Sequence, residues 1–309
     1  MAKKILVLGS SNTDFILRIP RFHRPGETIL AENRAAAFGG KGANQAIASN
    51  RLGGKVIFVT KLGSDPFGKS YRRYLIKNGL DPKWLLEDSR LPTGMAFIEL
   101  TPEGENRIIV SSGANASLSQ RDLKKLESCF REVNVFVTQL EIPISTVRMG
   151  LERAKEHGVL TLLNPSPPVK LPPDIFSLVD YMVPNESEAQ LLTGTKIKSS
   201  REARKVSRKL LEMGTKNVVL TLGPNGLFFK NRNEEILMKA YKVNVVDTTA
   251  AGDAFMGALA YGLSEGLRIQ EVLRYANGAG ALATTRLGAQ PSLPSRRELL
   301  RFIGPSNIR

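Results

Sequence analysis

The sequence contains few of the residues that form disulfides and bind transition metals. It has one cysteine, Cys129, and two histidines, His23 and His157, in 309 residues. One cysteine cannot form an internal disulfide, and no cluster of cysteine and histidine has the spacing of a zinc site. The composition therefore excludes a disulfide framework and argues against a histidine-based metal site. It favours a reducing compartment, and we expect the cytoplasm.

Long hydrophobic runs are also missing. The first apolar run, residues 5–8, is too short for the core of a signal peptide and ends at Gly9, so we interpret it as a buried strand. No stretch approaches the ~18–20 apolar residues of a membrane span, and we expect no membrane partner. Because hydrophobic residues still make up 42% of the chain, it can bury a large core. We expect a single domain over residues 1–309.

Acidic residues are in deficit. The chain has 44 lysines and arginines against 29 aspartates and glutamates, which gives a net charge of +15. The basic residues are spread along the chain and aromatic residues make up only 6%, whereas a nucleic-acid surface favours a concentrated basic stretch interleaved with aromatics. We therefore expect no nucleic-acid partner. The charge could simply form a soluble basic surface, or it could attract ATP or another phosphorylated small molecule. A nucleic-acid-binding protein is the alternative, which steeply salt-sensitive binding would support.

Short apolar runs rich in β-branched residues alternate with amphipathic helical stretches along most of the chain. The predicted strands are residues 5–8, 56–59, 135–140, 159–163, 181–183 and 218–222. The predicted helices are residues 65–78, 120–130, 146–157, 200–213, 252–263 and 269–284. This alternation predicts an α/β protein, a three-layer α/β/α sandwich with a mostly parallel central sheet.

Two regions break this alternation. Residues 15–19 with 29–38, and residues 96–100 with 107–111, alternate with the period of a strand, and a turn-rich connection at 101–105 joins the second pair. They predict a small β-sheet lid built from about residues 14–38 and 95–112. A sheet of this size cannot stand alone, so we expect it to cover the main domain or to pair with a second copy in a homodimer.

Residues 245–255, Val-Val-Asp-Thr-Thr-Ala-Ala-Gly-Asp-Ala-Phe, carry a chemical signal. A β-branched run meets small residues and then opens a helix, whose free N–H groups attract anions. An acid inside such an anion site, Asp253, makes sense as a base that takes a proton from a hydroxyl lying beside a phosphate. The alternative is that Asp253 only caps or charges the first helical turn.

Two other polar segments come near the start of the chain. Residues 38–46 place three glycines and Asn44 before a helix, which lets the backbone approach a polar ligand or simply forms a tight turn; their spacing does not fit a phosphate-binding P-loop. Residues 9–14 follow the first strand, where α/β sheets bind ligands. There Asn12 and Asp14 could hold vicinal sugar hydroxyls or could form an Asx turn.

In this order and spacing, the three segments resemble those of the ribokinase (PfkB) family of sugar kinases. Further matches at 138–141, 184–188, 221–226 and 286–292 extend the resemblance over nearly the whole chain. Many members of the family have glycine where Ala250 stands, although alanine occurs there too. The resemblance implies ATP-dependent phosphorylation of D-ribose at O5 to give D-ribose 5-phosphate. It also implies ATP, Mg²⁺ and a monovalent cation, K⁺, as cofactors.

The resemblance further implies roles for individual residues. Asp253 matches the catalytic base, and Ala250, Ala251 and Gly252 match an anion hole. The residues implied to bind the sugar are Asn12, Asp14, Gly40, Lys41, Gly42, Asn44, Glu141 and Asp253. The residues implied to bind the nucleotide are Asn185, Thr221, Gly223, Gly226, Gly252 and Asn277. The residues implied for metals are Glu188 for Mg²⁺, and Asp247, Thr249, Ala283, Arg286, Gly288 and Ser292 for K⁺.

Alternatives stay open at this point. Glu188 could be a helix N-terminal charge, Glu141 a solvated loop acid and Asn277 a helix surface residue. The chain could be another kinase of the same family, such as a deoxyribokinase, a fructokinase or a nucleoside kinase. It could also be a non-catalytic sugar-binding regulator, although every expected catalytic position is filled.

Overall fold

Two β-sheets organise the part of the chain that this computed structural model describes, residues 3–103, 105–125 and 127–305. The strands, numbered along the chain, are β1 (Lys4–Leu8), β2 (Asn12–Arg18), β3 (Asn33–Gly39), β4 (Lys55–Gly63), β5 (Leu85–Asp88), β6 (Gly94–Leu100), β7 (Asn106–Ser111), β8 (Val135–Thr138), β9 (Leu160–Leu163), β10 (Tyr181–Met182), β11 (Asn217–Thr221), β12 (Leu227–Lys230) and β13 (Glu235–Met238).

The larger sheet has nine strands in the order β13-β12-β11-β10-β9-β8-β1-β4-β5. All neighbours from β11 to β5 pair in parallel, and only β12 runs against the others. Residues 5–8 of β1, in the middle of the sheet, are at most 1% exposed. Such a continuous apolar run is typical of a parallel strand covered on both faces.

Helices cover both faces of this sheet. They are α1 (Lys41–Arg51), α2 (Pro66–Lys77), α3 (Gln120–Lys125), α4 (Glu127–Arg131), α5 (Ile144–Glu156), α6 (Pro173–Ser177), α7 (Glu186–Thr193), α8 (Ser200–Glu212), α9 (Ala251–Ser264), α10 (Ile269–Ala283) and α11 (Arg296–Ile303).

Alternate residues of β1 assign these helices to two layers. Ile5 and Val7 pack with apolar residues of α1, α2, α9, α10 and α11, whereas Leu6 and Leu8 pack with those of α3, α4, α5 and α8. Because successive strand residues point to opposite faces, the helices form one layer on each side of the sheet. The predicted three-layer α/β/α sandwich is confirmed.

The smaller sheet has the strand order β3-β2-β6-β7, and its presence as a separate sheet is also confirmed. Asn12, at the start of β2, is paired with Gly39 on one side and with Gly94 on the other. The expected strand at 29–38 begins only at Asn33, because its partner β2 ends at Arg18, two residues before Pro20. Within the predicted connection between β6 and β7, Gly104 lies outside the described residues.

Helix α2 contacts this smaller sheet at several points. The Asp65 side chain caps α2 and also accepts hydrogen bonds from the amide and the hydroxyl of Thr93, which precedes β6. The ring of Phe67 packs edge-on against Phe15 of β2, with ring centroids 5.4 Å apart. One helix therefore holds the smaller sheet beside the larger one.

The sequence analysis missed the hairpin of β12 and β13, which extends the larger sheet beyond β11. The helix expected at 120–130 appears as α3 and α4 on either side of residue 126, which lies outside the described residues. Among the helices of the described residues, none is long and apolar enough to span a membrane.

Candidate active site

Helices α1 and α9 begin beside each other, and Asp253 lies at the third position of α9. The N-cap of α9 is Ala250, whose φ of 58° is left-handed, a conformation that a non-glycine residue seldom adopts. The amides of Gly252 and Asp253 lie in the first turn, where a helix has no preceding carbonyls to bind. The Ala251 amide instead donates to the Thr248 carbonyl at 3.2 Å. The start of α9 therefore offers amide donors at its first acid and at the residue before it.

Two amide side chains of α1 hold the Asp253 carboxylate. Asn44 Nδ2 donates to Oδ2 at 2.8 Å and Gln45 Nε2 donates to Oδ1 at 2.9 Å. Gln45 is oriented in turn by Gln139, whose Nε2 donates to Gln45 Oε1 at 2.6 Å. The alternative that Asp253 only caps its own helix does not account for these contacts, because both oxygens are bound from another helix.

Burial raises the pKa of Asp253 above its usual range, while the Lys41 ammonium and the amides of Asn44 and Gln45 oppose this shift. A raised pKa makes a carboxylate a stronger base. Gln45 lies in the glycine-rich segment 38–46, but the sequence predicts no role for it. Its contact with Asp253 spans 208 positions, and no local pattern could reveal it.

A cavity of about 200 Å³ opens in front of Asp253. The residues from the sequence analysis that line it are Lys41, Asn185, Glu188, Thr221, Ala250, Gly252 and Asp253. A Cβ placed on Gly252 would meet nothing within 4 Å, so this glycine faces open space. Burial alone lowers the pKa of Lys41, but the carboxylates of Asp253, Glu141, Glu188 and Asp14 outweigh it and raise the pKa. A positive charge therefore stands among the acids of the cavity.

The glycines before α1 lie against the residues expected to bind a sugar. Gly40 has φ of 89°, and a Cβ there would lie 2.7 Å from the Asn12 amide nitrogen. A Cβ on Gly39 would lie 2.0 Å from Asp14 Oδ2. Larger residues would clash in both places, so the glycines allow this turn to pack against β2, and the expected approach of its backbone to a polar ligand stays a prediction. Gly42 packs equally closely, since a Cβ there would lie 2.6 Å from the Ser10 amide nitrogen.

Several polar groups converge near Asn12. Asn12 Oδ1 accepts a hydrogen bond from Asn115 Nδ2 at 2.7 Å. Glu141 Oε2 accepts from Ser10 Oγ at 2.5 Å and from the Lys41 amide at 3.1 Å, so Glu141 is not a solvated loop acid. Of these residues, Asn12, Asn115 and Glu141 line a second cavity of about 350 Å³.

Two polar groups on this side of the site are suited to accept hydrogen bonds from a ligand. Asn44 Oδ1 is buried and has no hydrogen-bond partner, although Asn44 Nδ2 is bonded to Asp253. Burial and the nearby carboxylates of Glu141 and Asp253 raise the pKa of Asp14 to about 7, against the effect of Lys41. A ligand with hydroxyl groups could donate hydrogen bonds to Asn44 Oδ1 and to the Asp14 carboxylate.

Glu188 has two structural contacts as well as a place in the cavity. It forms a capping box at the start of α7, in which Oε2 accepts from the Asn185 amide at 2.8 Å and Oε1 accepts from Asn185 Nδ2 at 3.0 Å. Burial raises the pKa of Glu188, against the Asn185 amide, which lowers it. The two interpretations of Glu188 from the sequence are thus compatible, because a capping carboxylate can also face a ligand.

The other residues expected to bind nucleotide are only partly brought together. Thr221 ends β11 at the cavity, and Gly223, with φ of 51°, follows it facing open space. A Cβ on Gly226 would lie 2.0 Å from the Met238 carbonyl, so this glycine, just before β12, allows the close approach of the end of β13. Asn277 lies outside the cavity lining; it is 7% exposed and donates to the Lys239 carbonyl at 2.8 Å. Asn277 is therefore a buried anchor and not a helix surface residue.

The residues expected to hold a monovalent cation lie in two neighbouring loops. Asp247 Oδ1 accepts from the amide and hydroxyl of Thr249 at 2.8 and 2.6 Å, and Oδ2 accepts from the Gly288 amide at 2.8 Å. The amides of Val246 and Asp247 both donate to the Thr284 carbonyl, just beyond Ala283 at the end of α10. Asp247 thus joins the loop before α9 to the loop after α10.

The side chains in the second loop are engaged elsewhere. The Arg286 guanidinium binds Glu298 of α11 at 2.5 Å, and Ser292 Oγ donates to the Ala289 carbonyl at 2.8 Å. Any contact of Arg286 with a cation would therefore be through its main-chain carbonyl. A K⁺ ion prefers neutral carbonyls with few carboxylates, which fits a site with one acid, Asp247, between two loops.

The sequence matches the model of one known family over most of its length, residues 2–296, described as pfkB family carbohydrate kinase. The chain belongs to this family. Among its pfkB relatives, the ribokinase of Haemophilus influenzae is 39% identical over 303 residues, which cover 98% of this chain and 99% of the relative. The assignment made from the sequence is therefore confirmed.

Solved structures agree with this assignment. The crystal structure of ribokinase from Thermotoga maritima has a TM-score of 0.87 and 38% identity, covering 97% of this chain and 99% of that one. The structure of Arabidopsis thaliana ribokinase complexed with ribose and ATP has a TM-score of 0.91 and 32% identity, covering 99% of this chain and 100% of that one. This chain is similar to both over their whole length.

Proposed function

We propose that this chain transfers the γ-phosphate of ATP to the O5 hydroxyl of D-ribose, giving ADP and D-ribose 5-phosphate. The observation that carries the proposal is the buried Asp253 carboxylate, held by Asn44 and Gln45 at the start of α9, between a cavity at Gly252 and the polar groups around Asn12. The full-length similarity to ribokinases, one of them complexed with ribose and ATP, supports the choice of substrates.

In the proposed reaction Asp253 is the general base. It accepts the O5 proton as the bond from O5 to the γ-phosphorus forms and the bond from that phosphorus to the β,γ-bridging oxygen breaks. The amides at the start of α9, with Ala250, Ala251 and Gly252, stabilise the charge on the transferred phosphoryl group. Asn12, Asp14, Asn44 and Glu141, with the backbone of Gly40, Lys41 and Gly42, orient the sugar.

The nucleotide and metal assignments are part of the proposal. We assign Asn185 and Thr221, which line the cavity, and Gly223 and Gly226, which follow Thr221 in the chain, to the ATP phosphates and their surroundings. We assign Asn277 to fixing the nearby segment at Lys239. Among the described residues no three His, Cys, Asp or Glu side chains form a metal cage, so a Mg²⁺ site would combine Glu188 with phosphate oxygens and water. When bound, Mg²⁺ neutralises phosphate charge.

For K⁺, the proposed site comprises Asp247 and the neighbouring positions Thr249, Ala283, Arg286, Gly288 and Ser292. The hydrogen bonds of Asp247 to Thr249 and Gly288 support it, because they bring these loops together. A cation there would stay away from the sugar and would order the loop that leads to Ala250 and Asp253. We place the reaction in the cytoplasm, consistent with a single buried cysteine, Cys129.

We further propose that two copies of the chain pair through the smaller sheet to form a homodimer. Apolar side chains on this sheet are unusually exposed: Phe97, Ile108, Ile109 and Val110. Phe97 and Ile109 are paired across neighbouring strands and share one face, whereas Ile108 and Val110 share the other. Exposed apolar residues grouped on a sheet face are typical of an interface. Val110 also lines the cavity next to Asn12, so pairing there would lie close to the sugar.

An ADP-release assay with D-ribose, 2-deoxyribose, fructose and a nucleoside, at several K⁺ concentrations, tests this function. We expect D-ribose to give the highest kcat/KM and K⁺ to raise the rate well above that in Na⁺. A higher kcat/KM for another sugar would move the assignment to a different kinase of the family. Sugar binding without ADP release would indicate a non-catalytic regulator.

A further inference from the structure

A buried tyrosine of α2 hydrogen-bonds to the glycine turn that leads into α1. Tyr71 is fully buried, and its hydroxyl donates to the Gly39 carbonyl at 2.6 Å. Its ring stacks on Phe38, with ring centroids 4.3 Å apart. Because Gly39 packs against the Asp14 carboxylate and Gly40 against Asn12, the position of this turn sets one wall of the sugar side.

The same hydroxyl accepts a hydrogen bond from the C-terminal loop. Gln290 Nε2 donates to Tyr71 Oη at 2.7 Å, and Gln290 is 1% exposed. These two hydrogen bonds fix the orientation of the Gln290 side-chain amide. The Gly39 carbonyl can only accept, so the single hydroxyl proton of Tyr71 is donated to it, and Gln290 must therefore donate to Tyr71 through its NH₂ group. Burial raises the pKa of Tyr71, which keeps this proton in place.

The loop with Gln290 also reaches the start of α9. Arg51, at the end of α1, donates to the carbonyls of Gln290 and Leu293 at 2.7 and 2.8 Å. Two residues before Gln290, the Gly288 amide donates to Asp247, which in turn accepts from Thr249. The glycine turn is therefore joined by hydrogen bonds through Tyr71 to Gln290, and the loop that carries Gln290 is joined through Gly288 to the loop that precedes Asp253.

We propose that Tyr71 and Gln290 are positioning residues, whose hydrogen-bonded pair fixes the Gly39–Gly40 turn against the sugar-binding side chains and ties it to the loop joined to Asp247. This inference rests on the proposed sugar phosphorylation and adds to it two residues that touch neither sugar nor ATP. Loss of the pair would leave the Gly39 carbonyl buried without its donor and let the turn move away from Asp14 and Asn12.

Tyr71→Phe removes the hydroxyl and keeps the ring on Phe38, and Gln290→Leu removes the second donor. We expect each variant to raise the KM for D-ribose by about 3- to 10-fold, the effect of one hydrogen bond, with the KM for ATP within about twofold. Tyr74→Phe is the matched control, since Tyr74 also packs on Phe38 from the same helix, with centroids 4.8 Å apart. The double variant should be no worse than the more affected single variant, because the pair acts as a unit.

Hydrogen exchange in the ligand-free protein gives a readout that does not depend on activity. We expect the amides of residues 38–46 to exchange faster in Tyr71→Phe and Gln290→Leu than in wild type and Tyr74→Phe. If wild type phosphorylates no sugar, the proposed function fails while this comparison still tests the pair. An unchanged ribose KM with unchanged exchange at 38–46, even with a lower melting temperature, would overturn the proposal. If Tyr71→Phe does not fold, the ribose KM and the hydrogen exchange of Gln290→Leu alone test the proposal.

Discussion

The Asp253 carboxylate accepts hydrogen bonds from two amide donors, and this geometry makes the base assignment testable. Asp253→Asn would direct an NH₂ group at the NH₂ group of Asn44 or Gln45 and would remove the base. We expect turnover to fall by ~10²–10⁴ while D-ribose binding, measured by calorimetry, is largely retained. Glu265→Gln, at the other end of α9, is the control and should keep wild-type turnover. Near-wild-type turnover of Asp253→Asn would disprove the role of the base.

Gly252 is predicted to matter for the reaction and not for folding. It lies inside α9 without a positive φ, and an added Cβ would point into open space in the cavity. We expect Gly252→Ala to keep or slightly raise the melting temperature, because alanine costs about 0.5–1 kcal/mol less than glycine in a helix, while the KM for ATP rises and kcat falls. Gly266→Ala, with φ of 71° just after α9, should show the opposite, normal kinetics and lower stability.

Asp14 connects stability to pH. Its pKa of about 7 in the folded protein, against 3.8 ordinarily, means that the folded protein holds a proton there between these pH values and the unfolded chain does not. The contribution of Asp14 to the free energy of unfolding therefore falls as pH rises from about 4 to about 7, by about 1.4 kcal/mol per unit. We expect ligand-free Asp14→Asn to melt above wild type at pH 8 and close to it at pH 4, although its activity is reduced.

Asp180 provides a control, because its contribution to the free energy of unfolding changes with pH in the opposite direction. Burial raises the pKa of Asp180, but hydrogen bonds from Lys155 and Lys216 outweigh this and lower it. Its stabilising contribution is present above the unfolded pKa and is lost at acid pH. Asp180→Asn should therefore melt below wild type at pH 8. If Asp14→Asn melted below wild type at pH 8 as well, the ionised Asp14 carboxylate would not lower the stability of the folded protein as predicted.

At the residue level, the sequence identified the acid at the start of α9 because small residues before a helix have a local physical meaning. It did not identify Gln45, Gln139 or Asn115 as supports, because their contacts join segments about 100–200 positions apart. The structure shows Glu188 as a helix cap and as part of the cavity lining, so the cap does not exclude a contact with Mg²⁺, and that contact stays a prediction.

Helix α7 allows the two roles of Glu188 to be separated. We expect Glu188→Gln to raise the Mg²⁺ concentration needed for half-maximal rate at least tenfold, and to cost at most about 1 kcal/mol of stability through the weakened capping box. Glu202→Gln is the matched control, since Glu202 accepts from the N-cap Ser199 of α8 in the same sequence relation. Equal Mg²⁺ dependence in the two variants would leave Glu188 with a purely structural role.

Element prediction succeeded where one physical signal dominated. The buried parallel strands other than β5, and the amphipathic helices α5 and α8, follow from apolar run length and helical period. The strand β5 was not predicted, because only two apolar residues begin it. The hairpin of β12 and β13 was missed because it is short and its strands are antiparallel at the sheet edge. The start of β3 depends on where β2 ends, which is a property of the pair and not of either segment.

At the scale of the whole molecule, the exposed apolar side chains of the smaller sheet predict self-association. Ile109 is 67% exposed. We expect the wild-type protein to elute as a dimer in size-exclusion chromatography with light scattering, and Ile109→Glu to elute as a monomer with an unchanged circular-dichroism spectrum. Leu237→Glu, at a residue 58% exposed on the edge strand β13, should stay dimeric. A wild-type monomer at all concentrations would disprove the proposed dimer.

The three-layer architecture and the separate sheet could be predicted from the sequence, because alternation of strands and helices leaves few ways to cover a parallel sheet. The arrangement of the two sheets could not, because it depends on contacts of α2 such as Asp65 with Thr93 and Phe67 with Phe15. The net charge of +15 does not by itself decide which class of partner the molecule binds. The expected absence of nucleic-acid binding stays a prediction.

The pairing of Asn12 with both Gly39 and Gly94 has a mechanical consequence. These three residues form a row across the smaller sheet at the edge nearest the larger one, and two of them carry no side chain that would resist bending. If the smaller sheet rotates about this row, atoms on the axis stay still and displacement grows with distance from it. Asn12 would then be available to a sugar in every orientation of the smaller sheet, whereas Asp14, two residues further out, would reach the sugar only when the smaller sheet is closed over the larger one.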